Sequence, residues 1–257
     1  MKVLVTGSNG YIGKRLIPIL LEAGHDVIAL VRMKGMTLPP HLSDHISIIV
    51  GDLLVPETLT AIPSDIDIAY YLVHSMSDTG DHFQSLEEQA CQNFISCIQT
   101  TQAKQIIYLS GISNHTNPSQ HMASRHNVEQ LLIQSGISTT ILRAGIIIGS
   151  GSASFEIIRD LVEKLPIMIA PKWLNNNCQP IGIADVIYYL TSVISHPQCL
   201  NQTFDIGGST ILTFKEMLLQ LASFRKLKRW IITLPILSLR LSSLWLFFVT
   251  STNFKLA

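Results

Sequence analysis

The sequence predicts a doubly wound α/β fold, in which helices cover both faces of a parallel sheet. Short apolar runs of strand length alternate with segments of helical periodicity over the first 150 or so residues. The first run, residues 3–5, leads directly into glycines at 7, 10 and 13, after which an amphipathic segment begins. Ligands of such folds bind at the carboxyl ends of the strands, so the loops after the strands are the places to examine.

Composition supports a large core and argues against a general electrostatic partner. Apolar residues make up 47% of the 257 residues, and 18 basic residues balance 18 acidic ones. This balance predicts no nucleic-acid partner and no general attraction to acidic membranes. Charged residues amount to only 14%, which indicates an unusually apolar surface.

Cysteine and histidine spacing predicts neither a disulfide framework nor a metal site. The four cysteines show no C-x-x-C spacing, and the nine histidines are scattered. Because the first residues already form a predicted core strand, we expect no signal peptide. The chain is therefore expected to be cytoplasmic, with reduced thiols and no metal.

The glycine loop after the first strand predicts a dinucleotide cradle. Gly7 permits a tight turn, Gly10 lets the backbone approach a pyrophosphate, and Gly13 lets the helix pack closely on the strand. The helix N-terminus then offers N–H groups to the phosphates. The spacing is G-x-x-G-x-x-G, and the predicted cofactor-binding residues of the loop are Gly7, Ser8, Asn9, Gly10, Tyr11, Ile12 and Gly13.

The next two elements indicate which dinucleotide binds. The helix after the loop ends at Gly24, and Pro18 is expected to bend it. A second strand over residues 27–31 ends in Arg32, where an NAD-binding protein would carry an acid. A cation suits the 2′-phosphate of NADP(H), so NADP(H) is predicted over NAD(H); the alternative is that Arg32 is only a solvated charge.

The remaining predicted strands bring further polar residues to the same edge of the sheet. A strand over residues 46–50 runs into Gly51-Asp52-Leu53, where Asp52 either caps the next segment or reaches the adenine edge. Strands over residues 67–73, 106–109 and 139–142 are separated by helices over residues 83–102 and around Val128. We therefore expect one edge to hold the residues Gly7, Arg32, Asp52, Leu53, His74 and Ser110.

Several segments together resemble an extended or atypical short-chain dehydrogenase/reductase over roughly residues 1–222. They are Thr6-Gly7-x-x-Gly10-x-x-Gly13, Gly51-Asp52-Leu53, Leu142-Arg143-Ala144, Gln179-Pro180-Ile181 with Asp185-Val186, and Thr203-Phe204-Asp205-Ile206-Gly207-Gly208. Residues 70–76, 124–126 and 149–156 are similar to the YbjT-like, NmrA-like branch of NAD(P)H-binding proteins. The resemblance implies an NAD(P)-binding Rossmann fold with a small C-terminal lobe.

The Tyr-x-x-x-Lys pair that the resemblance implies for catalysis is absent from the sequence. Matching Ser124 and Glu129 to the family helix puts His121 at the tyrosine position and Arg125 at the lysine position. Histidine donates protons near neutral pH and arginine donates to ribose hydroxyls, although a neighbouring cation disfavours the imidazolium. Ser110 lies near the family's catalytic serine, unless the register is shifted by two to Ile112. The alternative is that His121 has no catalytic part.

Beyond the nucleotide-binding part, we predict a small substrate lobe over about residues 150–222 and a hydrophobic helical tail over residues 223–257. The lobe should contain a helix, a strand around residues 167–170 and a loop with Trp173. In the tail, residues 230–249 contain one charge and come after a basic run. We expect a buried or interface helix, as in a homo-oligomer; the alternatives are membrane-surface contact and a true span. The resembling proteins continue into a second domain, so a shortened member is expected.

Two functions are consistent with these features. The first is an NAD(P)-dependent oxidoreductase acting on a small carbonyl or sugar-like substrate. The second is a non-catalytic NADP(H)-binding regulator or assembly factor with a regulatory partner. The missing tyrosine and lysine favour the second, whereas the lobe favours the first.

Overall fold

The computed structural model describes residues 1–32, 46–73, 83–112 and 120–234, without the side chains of Phe83, Gln120, His121 and Leu234. The chain divides into two compact units. The first comprises residues 1–144 and 184–205, and the second comprises residues 145–183 and 206–257. Residues 184–205, which lie within the predicted lobe over about residues 150–222, belong to the first unit.

The first unit is built on a parallel sheet with helices between its strands. Its elements are β1 (Lys2–Val5), α1 (Gly13–Glu22), β2 (Asp26–Val31), β3 (Ile46–Val50), β4 (Ile68–Tyr71), α2 (Phe83–Gln99), β5 (Gln105–Gly111), α3 (Gln120–Gln134), β6 (Ser138–Ala144), α5 (Ile183–Ser192) and β11 (Thr203–Ile206). The sheet has seven strands in the order β11-β6-β5-β4-β1-β2-β3. The pairings from β6 to β3 are all parallel, which confirms the predicted doubly wound class.

The burial of the parallel sheet explains why its strands are apolar in sequence. A parallel sheet is buried on both faces, so its central strands need apolar side chains on both sides. β1 and β4 show this in full, because Val3, Leu4 and Val5 are completely buried and so is Tyr70. α1 runs through Pro18, which lies inside the helix.

The described part of the second unit is built from two helices and short two-stranded sheets. Its elements are β7 (Ile147–Ile148), α4 (Ala153–Lys164), β8 (Ile167–Pro171), β9 (Asn177–Cys178), β10 (Ile181–Gly182), β12 (Leu212–Thr213), α6 (Phe214–Phe224) and β13 (Trp230–Leu234). A capping box starts α6, where Thr213 Oγ1 accepts from the Glu216 N–H at 3.1 Å. Buried Ile158, Val162 and Met217 hold α4 against α6.

The beginning of the tail differs from the prediction of a helix over residues 230–249. Trp230–Leu234 forms β13, which pairs in parallel with β8, with Trp230 opposite Ile167 and Ile232 opposite Ile169. β-branched and aromatic residues in this segment favour a strand, and β8 provides the partner with which it pairs. Residues 235–257 lie outside the described residues.

A buried glutamine ties the strands of the first unit to the segment after α5. Gln105 Nε2 donates to Thr140 Oγ1 and to the Val193 carbonyl, both at 2.9 Å, and its Oε1 accepts from the Ser195 N–H at 2.7 Å. Gln105 is 1% exposed. The glutamine therefore connects Thr140 of β6 to the backbone of Val193 and Ser195.

Replacing Gln105 with Leu should lower the free energy of unfolding by about 2–4 kcal/mol, because backbone groups of Val193 and Ser195 lose a buried partner. Urea denaturation followed by circular dichroism measures this loss. The matched control is Gln130→Leu on the exposed side of α3, which should change stability by less than about 0.5 kcal/mol. Equal effects of the two substitutions would contradict the role given to Gln105.

Candidate nucleotide site

The three glycines of the loop between β1 and α1 lie close to neighbouring backbone atoms. Gly7 has φ +65°, and a Cβ added there would lie 2.5 Å from the Leu72 carbonyl oxygen. A Cβ on Gly13 would lie 2.5 Å from the Gly7 carbonyl oxygen, and one on Gly10 would lie 3.0 Å from the same atom. Close approach of backbone therefore requires glycine at positions 7 and 13 and leaves little room at Gly10, as expected for the predicted cradle.

Hydrogen bonds at the end of β1 fix the shape of this loop. The Gly10 N–H donates to the Gly7 carbonyl at 2.8 Å, and Ser8 Oγ donates to the Val5 carbonyl at 2.5 Å. Thr6 Oγ1 donates to the Tyr70 carbonyl at 2.9 Å. Ser8, predicted to bind cofactor, is completely buried and holds the turn.

The first turn of α1 has the donors that a pyrophosphate needs. Within the described ranges, the N–H groups of Ile12 and Gly13 have no hydrogen-bond partner. Asn9 and Gly10 are exposed at the tip of the loop. Open donors at a helix N-terminus beside a glycine-rich loop fit the diphosphate of a dinucleotide.

An arginine next to the loop was not singled out from the sequence. Arg15 stacks on the ring of Tyr11, with its Cζ 3.9 Å from the ring centroid, and its Nη1 donates to the Tyr11 carbonyl at 3.0 Å. The sequence signal for this contact was the spacing of four residues between Tyr11 and Arg15, which puts both on one helix face. The stacked cation fixes the Tyr11 ring at the entrance to α1.

The predicted ribose and adenine residues lie at neighbouring strand ends. The Gly51 N–H donates to the Val31 carbonyl at 2.9 Å, so Arg32 and Asp52 come directly after paired positions of β2 and β3. Arg32 is exposed, and the described residues provide it with no hydrogen bond or ion pair. Arg32 is thus available to a ligand, whereas His74 lies outside the described residues.

Asp52 has a local structural role, which is one of the two alternatives predicted for it. Its Oδ1 accepts from the Leu54 N–H at 2.9 Å, and its own N–H donates to Thr58 Oγ1 at 2.9 Å. Leu53 is buried, and its carbonyl accepts from Asn93 Nδ2 at 2.6 Å. These bonds shape the turn after β3 and so support the edge on which Arg32 lies.

The candidate catalytic residues Ser110 and Arg125 converge at the carboxyl end of β5. Ser110 is 4% exposed. A Cβ on the next residue, Gly111, would lie 2.7 Å from Arg125 Nη1, so the guanidinium rests against the strand end. His121 lies in the first turn of α3, and its side chain lies outside what the structure describes. The start of α3 thus lies near the carboxyl end of β5, where the resemblance implied the catalytic residues.

Buried tyrosines near this edge cannot replace the missing catalytic tyrosine. Burial raises the pKa of Tyr70, Tyr71 and Tyr108 above the usual value for a phenol. The Tyr70 hydroxyl donates to the Leu190 carbonyl at 2.7 Å. Their hydroxyls are therefore held protonated in the core, and they serve packing.

Two buried carboxylates, which the sequence did not reveal as a pair, hold α3 in place. Glu87 of α2 accepts a hydrogen bond from Ser124 Oγ. Glu129 is 2% exposed and accepts from Arg143 of β6, with Nε–Oε1 at 3.0 Å and Nη2–Oε2 at 2.5 Å. In the sequence, the only sign of these contacts was a glutamate on the buried face of each helix, α2 and α3. These contacts fix the rotation of α3 and hence the position of Arg125.

Other chemistries find no support in the parts of the chain that the structure describes. Within those parts, no group of three or more His, Cys, Asp or Glu side chains is arranged to hold a metal ion. No helix in the described ranges is long and apolar enough to cross a bilayer. Burial raises the pKa of Cys91 to about 12, so its thiol stays protonated.

A parallel sheet with a close-packed glycine loop after its first strand defines a dinucleotide-binding protein of the Rossmann class. The model of a family described as NAD(P)H-binding matches residues 7–164, more than half of the 257-residue chain. The chain belongs to this NAD(P)H-binding family, in line with the NAD(P)-binding fold that the sequence predicted. The cofactor is accordingly a nicotinamide dinucleotide.

Curated relatives include proteins with different roles. The chloroplastic divinyl chlorophyllide a 8-vinyl-reductase of Cucumis sativus is 25% identical over 222 residues, covering 80% of this chain and 52% of that protein. The photosystem II assembly factor Ycf39 of Synechocystis is 26% identical over 145 residues, covering 56% of this chain and 44% of that protein. The chain therefore spans about half the length of these relatives or less.

Solved structures share the fold at low identity. A nucleoside-diphosphate-sugar epimerase from Staphylococcus aureus superposes with TM-score 0.77 at 17% identity, covering 95% of this chain and 83% of that one. UDP-glucuronic acid 4-epimerase from Bacillus cereus superposes with TM-score 0.72 at 18% identity, covering 99% and 96%. Likeness at these identities shows the fold.

Gly13→Ala should lower affinity for NADPH by at least about tenfold, because its Cβ meets backbone atoms of Gly7 and Ser8 and must displace the loop. Fluorescence titration of NADPH measures the affinity. Gly24→Ala is the matched control, since Gly24 has φ +79° with no atom within 4 Å of an added Cβ. The control should lose about 1–2 kcal/mol of stability with unchanged affinity. Unchanged affinity in Gly13→Ala would disprove the cradle.

Proposed function

We propose that this protein is an NADP(H)-dependent oxidoreductase acting on a small carbonyl or sugar-like substrate. The observation that carries the proposal is the close packing of the glycines in the loop after β1 together with an exposed cation, Arg32, at the end of β2. When bound, the nicotinamide supplies a hydride or accepts one. The residues of this chain bind the dinucleotide, select it and hold the proton that balances the hydride.

Cofactor choice rests on the chemistry of Arg32. A carboxylate at this place accepts from the ribose hydroxyls of NAD and repels a 2′-phosphate. A guanidinium instead donates charge-assisted hydrogen bonds to that phosphate. Because the described residues give Arg32 no other ion pair, its donors are open to a ligand. This supports NADP(H) over NAD(H).

Arg32→Asp should erase or reverse a preference for NADPH over NADH that we expect to be about 10- to 150-fold, from roughly 1.5–3 kcal/mol for a hydrogen bond to a charged group. The preference falls toward the lower end if solvent screens the exposed guanidinium. Fluorescence titrations of both cofactors against both proteins measure it. Lys14→Asp is the control, because exposed Lys14 lies at the first turn of α1 and should change both affinities alike. Equal affinities in the parent protein would make Arg32 a surface charge only.

Proton transfer is assigned to the start of α3. The backbone puts His121 in its first turn, and Arg125 rests against Gly111 at the end of β5. A histidine there supplies or relays the proton, and Arg125 donates to a ribose hydroxyl. Ser110 offers a further hydroxyl beside them, next to Arg143 in the register of β5 and β6.

His121→Ala should lower kcat by about 100-fold or more with little change in NADPH affinity, because it removes the proton donor and leaves the cradle intact. The assay monitors NADPH oxidation with a panel of aldehydes, ketones and quinones. His126→Ala on the same helix is the control: its ring is exposed, with Nδ1 3.6 Å from Glu129. An unchanged rate in His121→Ala would remove this histidine from the mechanism.

A second function, a non-catalytic NADP(H)-binding regulator or assembly factor, has one specific observation in its favour. No tyrosine of the sequence has a lysine four residues later. The relative Ycf39 is itself named an assembly factor. NADPH binding without turnover on the whole panel, together with partner capture that differs between NADPH and NADP⁺, would favour this function over the oxidoreductase.

A further inference from the structure

The ribbon formed by β8 and β13 has one face in the core of the second unit and one face in solvent. Met168, Ala170 and Ile231 point into that core. The other face shows Ile167, Ile169, Trp230 and Ile232, which are 60%, 49%, 72% and 52% exposed. We call these four side chains the ribbon face. In register, Trp230 lies opposite Ile167 and Ile232 opposite Ile169, so the four form one continuous apolar surface.

Such a surface is unusual for a protein in water. Four large side chains at about half exposure or more, adjacent in register, form a contiguous patch, and patches of this kind mark interaction sites. Phe224, at the end of α6, is 83% exposed and precedes the same ribbon. The free energy of leaving this surface in water is recovered only if something covers it.

The charges around the ribbon face indicate what covers it. The two segments that include the strands and their flanks, residues 164–172 and 223–234, hold six basic residues and no acidic ones. Lys164 pairs with Asp160 at 2.9 Å and Arg225 pairs with Glu163 at 2.6 Å. Four positive charges are left without a carboxylate partner in the described ranges: Lys172, Lys226, Lys228 and Arg229.

The cations lie at both ends of the ribbon. Lys226 and Lys228 are exposed just before Trp230, and Lys172 is exposed directly after Pro171 at the end of β8. Arg229 is anchored by donating to the Val162 and Glu163 carbonyls. An apolar centre that includes tryptophan, with lysines at its ends, matches the interface of a bilayer, where acyl chains meet charged headgroups.

We propose that the ribbon face docks on the surface of an anionic lipid bilayer. Ile167, Ile169, Trp230 and Ile232 enter the boundary between headgroups and acyl chains, while Lys172, Lys226 and Lys228 contact lipid phosphates. The contact is peripheral and needs no spanning segment. A second copy of the chain is a poorer occupant, because an isologous contact would bring the same positive charges face to face. This proposal is independent of the cofactor and of catalysis.

Trp230 provides a direct probe of this contact. The chain has three tryptophans, at 173, 230 and 245, so the double substitution W173F/W245F leaves Trp230 as the sole reporter. With vesicles of phosphatidylcholine and phosphatidylglycerol in equal parts, its emission should shift to the blue and be quenched by brominated acyl chains. With phosphatidylcholine alone, the shift should be small. Binding of this protein to vesicles with no change in Trp230 emission would place the anchor elsewhere and overturn the proposal.

Co-sedimentation of the full chain with the same vesicles tests the individual residues. K226Q/K228Q should lower the partition coefficient on the order of 30-fold, from about a fivefold contribution of each lysine. W230S/I232S should lower it by at least about tenfold. Raising the salt from about 0.1 to about 1 M should weaken binding, because the Debye length falls from about 10 to about 3 Å.

Matched controls separate docking from misfolding. Tyr188→Ser removes an aromatic side chain of the first unit that is 66% exposed and should leave partitioning unchanged. Every variant should retain its thermal unfolding profile and NADPH affinity. Equal partitioning of wild type and W230S/I232S overturns the proposal, and so does a full chain that binds neither vesicle type. Loss of a dimer in W230S/I232S by light scattering, without vesicle binding, would identify a second copy as the occupant instead.

Discussion

The close approach of the β1 turn to the neighbouring strand β4 is the constraint on which the nucleotide site depends. Gly7 turns in the left-handed region directly beside the Leu72 carbonyl, and any side chain there would overlap it. Thr6 completes the link, because its hydroxyl donates to the Tyr70 carbonyl and accepts from the Leu72 N–H. With β1 fixed to β4 in this way, α1 starts at a defined point and its free N–H groups face the loop. A looser turn would leave these donors without a common target.

The order of the strands then decides where each candidate site residue lies along the sheet edge. β1 lies between β4 and β2, so the cradle stands between the strand end that carries Arg32 and the strand ends nearer to Ser110. The catalytic side depends on how α3 is held, and the bonds from Ser124 to Glu87 and from Arg143 to Glu129 hold it to α2 and β6. Removing Arg143 would deprive the buried Glu129 carboxylate of its guanidinium partner, and a buried carboxylate that loses its charge partner is destabilising. These carboxylates are therefore positioning groups behind the candidate catalytic residues.

The second unit shows a different balance of forces. Its core of α4, α6 and one face of the ribbon is apolar, while the opposite ribbon face leaves large side chains in water. A two-stranded ribbon has only marginal stability by itself, so Met168, Ala170 and Ile231 have to anchor it. Strand alternation then forces Ile167, Ile169, Trp230 and Ile232 outward, whatever their chemistry. The exposed face is thus a direct consequence of the period of two, and its sequence is apolar where a solvent face would normally be polar.

Sequence by itself determined the fold class, the glycine loop after the first strand and the strand ends that carry Arg32 and Ser110, because apolar periodicity and glycine spacing are local signals. It also showed that the Tyr-x-x-x-Lys pair is missing. Only the tertiary structure decided what depends on neighbours distant in the chain. Residues 184–205 return to the first unit, Glu129 meets Arg143, and residues 230–234 form a strand rather than the start of a helix because β8 offers a pairing partner. Such pairings join residues far apart in the chain, as Trp230 and Ile167 are, and no local pattern records which strand will lie beside which.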